Sequence, residues 1–278
     1  MNETPIFLKW PGGKRWAAES IACIARRYLA PHGTFFEPFV GGGSVFFALR
    51  PSRAVLSDIN HDLINVFRTV RDFPTPVIRV LRRMVVDEAM YYRVRASRPR
   101  SPVGKAAKFL FLNRTAFGGI YRVNKEGWFN VPFNGGDRDT SLLWTTPVLI
   151  EASARLQAVE ILESDFEPIL RQAGPGDVIY CDPTYTVAHG NNGFIRYNER
   201  NFAWRDQERL IVAAKGAVER GATVIVTNAY HKSVHKLYSG WTRMTLTRKS
   251  RVSPNPVHRR PVKESLFVRS ASTSNMVS

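Results

Sequence analysis

Hydrophobic positions in the N-terminal part of the chain alternate between helical and strand spacing. Residues 16–29 place apolar side chains at helical intervals, and residues 34–39 are then typical of a short strand that leads into three glycines. Residues 44–49 favour a helix, residues 54–57 a strand and residues 63–70 a helix. This succession is typical of a doubly wound α/β sheet.

The pattern changes between residues 74 and 147. Residues 77–86, 88–96 and 105–117 are arginine-rich and have helical spacing. In residues 120–133, aromatic and polar side chains alternate around a turn, and a pair of glycines stands on either side. We therefore predict an inserted helical domain over residues 74–147 that carries a β-hairpin.

Strand patterns return after this insertion and complete the predicted sheet. Short apolar runs typical of strands recur at residues 159–162, 178–181 and 223–227. Residues 206–220 have helical spacing. We predict that residues 1–73 and 148–270 form one discontinuous α/β domain, and that residues 271–278, which are small and polar, form a disordered tail.

The charge of the chain favours a nucleic-acid partner. Its 278 residues include 40 lysines and arginines against 23 aspartates and glutamates, which gives a formal net charge of +17. A charge of this size is expected of a protein that binds a polyanion such as nucleic acid, and a basic surface without a ligand is the alternative. No basic amphipathic segment stands apart from the folded pattern, so we expect no binding to a membrane.

The cysteines, the N-terminus and the lengths of the apolar runs indicate whether the chain is a disulfide-rich, metal-binding, secreted or membrane protein. Cys23 and Cys181 are far apart and lack the neighbouring ligands of a zinc site, so neither a disulfide framework nor a metal site is expected. Residues 1–14 lack the apolar core of a signal peptide, and no run reaches the roughly 18 apolar residues of a membrane span. We expect a soluble cytoplasmic protein that is a monomer or a weak dimer.

Three glycines, Gly41, Gly42 and Gly43, stand between a predicted strand and a predicted helix. Glycines there let the backbone approach a ligand and expose the free N–H groups of the helix, although a tight turn without a ligand is the alternative. Asp58 ends the next predicted strand, where a carboxylate can accept both hydroxyls of a ribose or cap the following helix. The glycines lack the spacing of a dinucleotide fingerprint, which argues against a dinucleotide.

A second polar group follows the apolar run at residues 178–181. Asp182, Pro183, Thr184 and Tyr185 bring a carboxylate, a rigid turn and an aromatic ring to one edge of the sheet. The carboxylate and a backbone carbonyl can accept the two hydrogens of an exocyclic amine while the ring stacks on a planar base. A strand-terminating turn with a buried tyrosine is the alternative.

Together these motifs resemble those of the Dam-like, D12 class family of DNA adenine N6-methyltransferases. The resemblance rests on Phe-Leu-Lys-Trp-Pro-Gly-Gly-Lys at residues 7–14, on residues 37–46, on Ser-Asp-Ile-Asn at residues 57–60 and on residues 182–185. It implies an α/β, Rossmann-like sheet of an S-adenosylmethionine-dependent methyltransferase, with an inserted helical DNA-recognition domain that carries a β-hairpin. The residues that it implies for binding S-adenosylmethionine are Trp10, Lys14, Glu37, Pro38, Phe39, Gly41, Gly43, Ser44, Asp58, Asp165, Phe166 and Asp182.

The resemblance also implies a surface that reads DNA. Residues 112–122 and 127–133 are similar to the target-reading hairpin of the family, and residues 248–260 are rich in arginine and proline, as expected of a loop that contacts phosphates. The implied DNA-binding residues are Asn113, Arg114, Phe117, Gly118, Arg122, Asn124, Asn130, Pro132, Arg248, Arg251 and Arg259. Arg122 is the candidate for a bidentate contact with guanine, and a phosphate contact is its alternative role. The resemblance implies GATC or a related site in double-stranded DNA as the target. Gly118 departs from the family, which often has at this position an asparagine whose side chain could contact DNA.

The implied reaction is methyl transfer to an adenine in a short duplex site. The adenine rotates onto Tyr185 and its amine is held by Asp182 and the Pro183 carbonyl, which makes these the catalytic residues, and no metal takes part. Thr184 stands at the second proline of the family motif. One alternative is a cytosine-N4 methyltransferase, against which Asp182 argues because such enzymes usually have serine there. The other is a catalytically impaired DNA-binding protein on the same scaffold, which Thr184 suggests. A bacterial or phage protein, at the nucleoid or in a restriction-modification system, is implied.

Overall fold

The centre of the protein is a mixed β-sheet with helices on both faces. The computed structural model describes residues 4–124, 126–135, 146–187, 202–249 and 261–271. The strands are β1 (Phe35–Glu37), β2 (Ala54–Asp58), β3 (Val159–Glu163), β4 (Val178–Cys181), β5 (Thr223–Ala229), β6 (Thr242–Lys249) and β7 (Pro261–Arg269). The helices are α1 (Ala18–Arg26), α2 (Ser44–Leu49), α3 (His61–Asp72), α4 (Pro74–Leu81), α5 (Glu88–Ala96), α6 (Pro102–Thr115), α7 (Thr146–Leu156), α8 (Phe166–Leu170), α9 (Trp204–Glu219) and α10 (Lys232–Leu237).

The order of strands across the sheet is β3-β2-β1-β4-β5-β7-β6. Strands β1 to β5 are parallel to one another, whereas β7 pairs antiparallel with both β5 and β6. The parallel part has the order of a doubly wound, Rossmann-like sheet. The fold class predicted from the sequence is therefore confirmed.

Hydrophobic residues cover both faces of the sheet, as expected of parallel strands. In β1, Phe35 belongs to a hydrophobic cluster on one face, and its neighbour Phe36 belongs to a second cluster on the other. The first cluster includes buried residues of α1, α2 and α3, and the second includes buried residues of α8 and α9. Every residue of β1, β4 and β5 is buried. These central strands are thus held rigidly, and so are the side chains at their ends.

Helices α4, α5 and α6 lie between β2 and β3 in sequence, where the insertion is predicted. Each of α5 and α6 begins with a side-chain cap: Asp87 accepts from Met90 N and Ser101 accepts from Gly104 N. Buried side chains of these helices, such as Tyr91 and Phe111, belong to the same hydrophobic cluster as Phe35 of the sheet. The division into two domains stays a prediction, because the inserted helices and the sheet share this cluster.

The segment after α6 folds back on itself, as the sequence predicts. Antiparallel bridges join Val123 to Phe129 and Ala116 to Phe133, and Asn124 N donates to Trp128 O over 2.7 Å. The hydroxyl of Tyr91, a residue of α5, donates to the Val131 carbonyl over 2.8 Å. A hairpin-like loop, here called the recognition hairpin (residues 116–133), is therefore anchored to α5.

Two strands are not predicted by the sequence pattern. Strands β6 and β7 form an antiparallel pair at one edge of the sheet, and β7 lies directly beside β5. Residues 272–278, nearly all of the predicted disordered tail, lie outside the described residues. Of the helices that the structure describes, none has the length and apolar character needed to cross a membrane.

Candidate active site

Three carboxylates meet at the carboxyl edge of the parallel strands. Glu37 is the last residue of β1, Asp58 is the last of β2, and Asp182 directly follows β4. Because β1 is hydrogen-bonded to both β2 and β4, these strand ends are adjacent. This edge is where open α/β sheets bind their ligands.

Asp182 is held by an ammonium and a hydroxyl group. Lys14 Nζ lies 2.7 Å from Asp182 Oδ1 and 2.8 Å from Oδ2, and Thr227 Oγ1 of β5 donates to Oδ1 over 2.8 Å. The Lys14 side chain is 4% exposed and that of Asp182 is 17% exposed. Burial raises the pKa of Asp182, and the charge and hydrogen bond of Lys14 offset part of that rise. The carboxylate is thus fixed in place but still reachable from outside.

Tyr185 lies beside this ion pair. Its hydroxyl donates to Glu264 Oε2 over 2.7 Å, and Lys14 Nζ is 5.0 Å from the centre of its ring. Burial raises the pKa of Tyr185 well above its usual value, and the negative charges of Asp182 and Glu264 raise it further. The hydroxyl therefore remains a neutral donor. Pro183, between Asp182 and Tyr185, is buried.

The glycine turn after β1 is packed against Trp10. Gly41 and Gly43 have φ angles of 47° and 65°, which favour glycine. A Cβ on Gly41 would lie 2.7 Å from Trp10 Cδ1, so a larger residue would clash there. Trp10 in turn stacks on Tyr121, with 6.0 Å between ring centres. The backbone of the turn can therefore lie close to any molecule bound beside Trp10.

Backbone N–H groups bind the other two carboxylates. Asp58 Oδ2 accepts from Gly41 N over 3.3 Å and Oδ1 accepts from Asn60 N over 3.0 Å, while Glu37 Oε2 accepts from Phe46 N of α2 over 3.1 Å. Burial raises the pKa of Asp58 to about 6. Burial also raises the pKa of Glu37 well above its usual range. The helix that follows Asp58 is capped by Asn60, whose Oδ1 accepts from Leu63 N, so the cap considered for Asp58 belongs to another residue.

The remaining residues predicted to bind the cofactor flank these groups. Ser44 is the first residue of α2, and Pro38 is buried in the turn before the glycines. The Phe39 ring is stacked on that of Phe166, with 5.4 Å between ring centres. Asp165 Oδ1 accepts from Glu167 N to cap α8 and also lies 3.0 Å from Arg209.

Two residues predicted to contact DNA have a different role in the structure. Asn113 is 1% exposed, accepts from Lys9 N over 2.9 Å and donates to Lys9 O over 2.7 Å. Arg114 donates to Phe7 O over 3.0 Å, and burial lowers its pKa. Both fasten α6 to the N-terminal segment. The prediction for Asn113 is wrong in this structure, because a buried amide that spans a backbone segment has no surface to offer to DNA.

The other predicted DNA contacts lie on the recognition hairpin. Phe117 is 60% exposed, and Gly118 next to it has a φ of 66°. Arg122 is exposed and donates from Nε to Asn130 Oδ1 over 2.8 Å. Asn124 accepts from Glu126 N and Trp128 N and so shapes the turn itself. The exposed residues of this set are Phe117, Gly118, Arg122, Asn130 and Pro132.

Of the arginines predicted to contact phosphates, Arg248 lies in β6. Its Nε is 3.4 Å from Glu264 Oε1, and its guanidinium carbon lies 5.9 Å from the centre of the Trp16 ring. Arg251 and Arg259 lie outside the described residues. In the described parts of the chain, no group of three or more His, Cys, Asp or Glu side chains could hold a metal ion.

Sequence reasoning does not find Glu264 or Thr227, which complete the surroundings of Asp182. Both are buried polar residues in strands, on β7 and β5. The available signal for Glu264 is a single acidic residue two positions before the apolar run 266–268. A charge in a strand that is otherwise buried requires a partner inside the protein.

The sequence matches the family model of D12 class N6 adenine-specific DNA methyltransferases over residues 10–252. Type II methyltransferase M1.LlaDCHI of Lactococcus lactis subsp. cremoris is 34% identical over 245 residues, which is 84% of this chain and 84% of that one. DNA adenine methylase of Escherichia coli (strain K12) is 32% identical over 234 residues, 82% of each chain. DNA N-6-adenine-methyltransferase of Escherichia phage P1 is 35% identical over 242 residues, 85% of this chain and 31% of that one.

One solved structure with a weak similarity to the chain is also a methyltransferase by its name. The putative methyltransferase yhhF from Escherichia coli gives a TM-score of 0.38 with 12% sequence identity, over 95% of this chain and 92% of that one. A similarity of this size is too low to support an argument about fold or activity.

Proposed function

Since the chain belongs to the family of D12 class N6 adenine-specific DNA methyltransferases, we propose that it transfers the methyl group of S-adenosylmethionine to N6 of an adenine rotated out of duplex DNA. The family and the relatives from Escherichia coli and Escherichia phage P1 are named for methylation of adenine in DNA. The methyl donor, the rotated base and the roles of single residues are our proposal. The observation that carries it is the buried but reachable carboxylate of Asp182 next to the ring of Tyr185.

The residues at the carboxyl edge fit S-adenosylmethionine. Asp58 has a carboxylate suited to ribose hydroxyls, and the turn at Gly41 has no room for a side chain against Trp10. We propose that Asp58, Trp10 and the glycine turn hold the nucleoside part of the cofactor, with Phe39 and Phe166 on the side of its adenine. When bound, S-adenosylmethionine supplies an electrophilic methyl group on a positively charged sulfur.

Asp182 orients and activates the amine of the target base. A carboxylate has about four acceptor positions, and Lys14 and Thr227 leave room for one more donor. We propose that Asp182 and the Pro183 carbonyl accept the two N6 hydrogens, which directs the nitrogen lone pair away from both. After methylation, N6 loses one proton, and Asp182 can accept it because burial raises its pKa.

Tyr185 supplies the surface on which the adenine stacks. Its ring lies next to the Lys14–Asp182 pair, so a base stacked on it presents its amine to the carboxylate. Stacking offsets part of the free energy lost when the base leaves the helix. Positioning and polar contacts then carry the catalysis, without covalent chemistry by the protein.

The recognition hairpin is the proposed reader of the DNA sequence. Arg122 is exposed and its guanidinium is oriented by Asn130, a geometry suited to a bidentate contact with guanine. The net charge of +17 favours binding to the phosphate backbone. GATC or a related site is the proposed target.

The proposed function is tested by incubating the purified protein with unmethylated plasmid and labelled S-adenosylmethionine. The DNA is then digested to nucleosides and, in parallel, sequenced with a modification-sensitive method. We expect N6-methyladenine at one short motif. Formation of N4-methylcytosine would instead identify a cytosine-N4 methyltransferase. Cofactor binding without any methylated product would indicate a catalytically impaired DNA-binding protein.

A further inference from the structure

Glu264 is a buried carboxylate that the proposed mechanism does not use. It lies on β7 opposite Ala229 of β5, next to the strand end that carries Thr227. Its side chain is 4% exposed. A charge buried to this extent is costly unless it is paired and hydrogen-bonded. The partners of Glu264 therefore indicate what it does.

The partners of Glu264 come from three separate parts of the chain. Its Oε2 accepts from the Tyr185 hydroxyl over 2.7 Å and lies 3.5 Å from Lys14 Nζ. Its Oε1 lies 3.4 Å from Arg248 Nε. The shortest of these contacts is a hydrogen bond to a charged acceptor, the stronger class of hydrogen bond. Glu264 is thus bound most closely to the aromatic ring at the candidate active site.

We propose that Glu264 is a positioning residue, which fixes the ring of Tyr185 in the orientation that receives the target base. This inference rests on the proposed function, in which the adenine stacks on Tyr185. Glu264 touches neither base nor cofactor in this proposal and acts through the tyrosine hydroxyl.

The position of Tyr185 explains why its ring needs an anchor. The residue lies beyond the end of β4, outside any helix or strand. Its backbone neighbour is held by Gln207, whose Nε2 donates to Thr184 O over 3.3 Å and whose Oε1 accepts from Asn228 over 2.9 Å. The hydrogen bond to Glu264 holds the opposite end, the tip of the ring. Two separated attachments restrict rotation of the ring, which one attachment at the backbone would permit.

Glu264 also acts on Asp182 through its charge, which provides a second readout. Its negative charge raises the pKa of Asp182, and Lys14 acts in the opposite direction. Removing the charge of Glu264 should therefore lower the pKa of Asp182 and move the acidic limb of the pH–rate profile to lower pH. The titratable groups that interact electrostatically with Asp182 are Lys14, Glu37, Tyr180, Cys181, Tyr185 and Glu264.

A double-mutant cycle tests the inference with Glu264→Gln, Tyr185→Phe and the two combined. Glutamine keeps the shape of Glu264 but replaces a charged acceptor by a weaker one, and phenylalanine keeps the ring but removes the hydroxyl. The matched control is Glu160→Gln, an exposed glutamate on β3 at the far edge of the sheet. Methylation of the plasmid, kcat, KM for DNA and the melting temperature are measured for each.

We expect Glu264→Gln to lower kcat by roughly five- to tenfold, with KM for DNA nearly unchanged and the acidic limb shifted to lower pH. In the Tyr185→Phe background the same substitution should lower kcat by less than about twofold, because the hydroxyl through which Glu264 acts is already absent. The pH shift should persist in both backgrounds, since it depends on charge.

Wild-type kcat in Glu264→Gln would overturn the inference, and so would an equal loss of kcat in both backgrounds. A loss of kcat that parallels the fall in melting temperature in every variant would also overturn the inference, because Glu264 would then have only a structural role. If the wild-type protein and Glu160→Gln both fail to methylate adenine, the proposed function itself fails, which is a separate result.

Discussion

The candidate active site and the recognition hairpin hold their functional side chains in opposite ways. At the active site, Lys14, Asp182 and Glu264 are largely buried, and Lys14 contacts both carboxylates. On the hairpin, Phe117 and Arg122 are exposed, and the bonds that fix the loop lie beneath them. One region has its geometry set by buried charges, and the other presents side chains to solvent on an anchored backbone.

This difference has consequences for substitutions. In the active site, removing one charge leaves the remaining charges of a buried cluster unbalanced, so we expect an effect on stability as well as on chemistry. On the hairpin, an exposed side chain can be removed with little effect on folding, and recognition alone should suffer. The four predictions below test whether the two regions can be separated in this way.

The largest effect is expected for Asp182→Asn. The amide cannot accept the proton of N6 and loses the charge that pairs with Lys14, so we expect methylation to fall on the order of a thousandfold. DNA binding, measured by a mobility shift, should remain within about twofold, because the hairpin is untouched.

The matched control for this variant is Asp72→Asn. Asp72 ends α3, is exposed and pairs with Arg71. It should leave methylation unchanged. Substantial activity in Asp182→Asn would remove Asp182 from its proposed catalytic role.

On the hairpin, Arg122→Ala should change sequence preference. Loss of a bidentate contact lowers discrimination at one base pair by about 1–3 kcal/mol, which would appear as methylation at sites that differ from the motif at that position. The melting temperature should not change, because the side chain is exposed. Sequencing of methylated plasmid measures the preference.

Arg53→Ala is the control, since Arg53 is exposed and precedes β2, at the opposite edge of the sheet from the active site. If Arg122→Ala lowers methylation at all sites equally and leaves the motif intact, Arg122 contacts phosphate and another residue reads the base.

The sequence predicts one of the two regions better than the other. Strands β1 to β5 follow from short apolar runs, and β1, β2 and β4 each stop at or directly before a carboxylate. The hairpin turn at Asn124 is local as well. Each of these elements is determined by neighbouring residues, and so it can be recognised without knowledge of the fold.

The parts that the sequence does not predict depend on contacts between distant residues. Glu264 meets Tyr185 only because β7 pairs with β5 in the antiparallel direction. The role of Asn113 likewise depends on the N-terminal segment reaching α6, 104 residues away in sequence at Lys9. A motif can identify such a residue as important, as it does for Asn113, and still give it the wrong partner.

A stability measurement on Asn113→Ala tests that correction. The substitution removes hydrogen bonds to both backbone groups of Lys9 in a partly buried place, so we expect a loss of about 2 kcal/mol in the free energy of unfolding. The melting temperature should fall by about 5 °C. Asn130→Ala, at an exposed position, is the control and should melt like wild type. An unchanged melting temperature in Asn113→Ala, with weaker DNA binding, would restore its predicted role as a DNA contact.

The smallest effect, a dependence on pH, separates the two regions without any mutation. Burial raises the pKa of Asp58 to about 6, so acidification below that value converts the proposed ribose acceptor from a carboxylate to a neutral acid. Affinity for S-adenosylmethionine should be constant above about pH 7 and weaken by about tenfold for each pH unit well below 6. Calorimetry at a series of pH values measures it, with circular dichroism to verify that the protein stays folded.

Asp58→Asn is the variant that assigns this dependence, because asparagine cannot titrate. It should bind the cofactor more weakly at neutral pH and with an affinity nearly independent of pH in the same range. If the affinity of the wild-type protein for S-adenosylmethionine does not change below pH 6, the charge of Asp58 does not contribute to cofactor binding. Arginine keeps its charge throughout this range, so contacts between exposed arginines and DNA should persist where cofactor binding is lost. Acidification would then uncouple the buried site, whose carboxylates can be protonated, from the exposed hairpin.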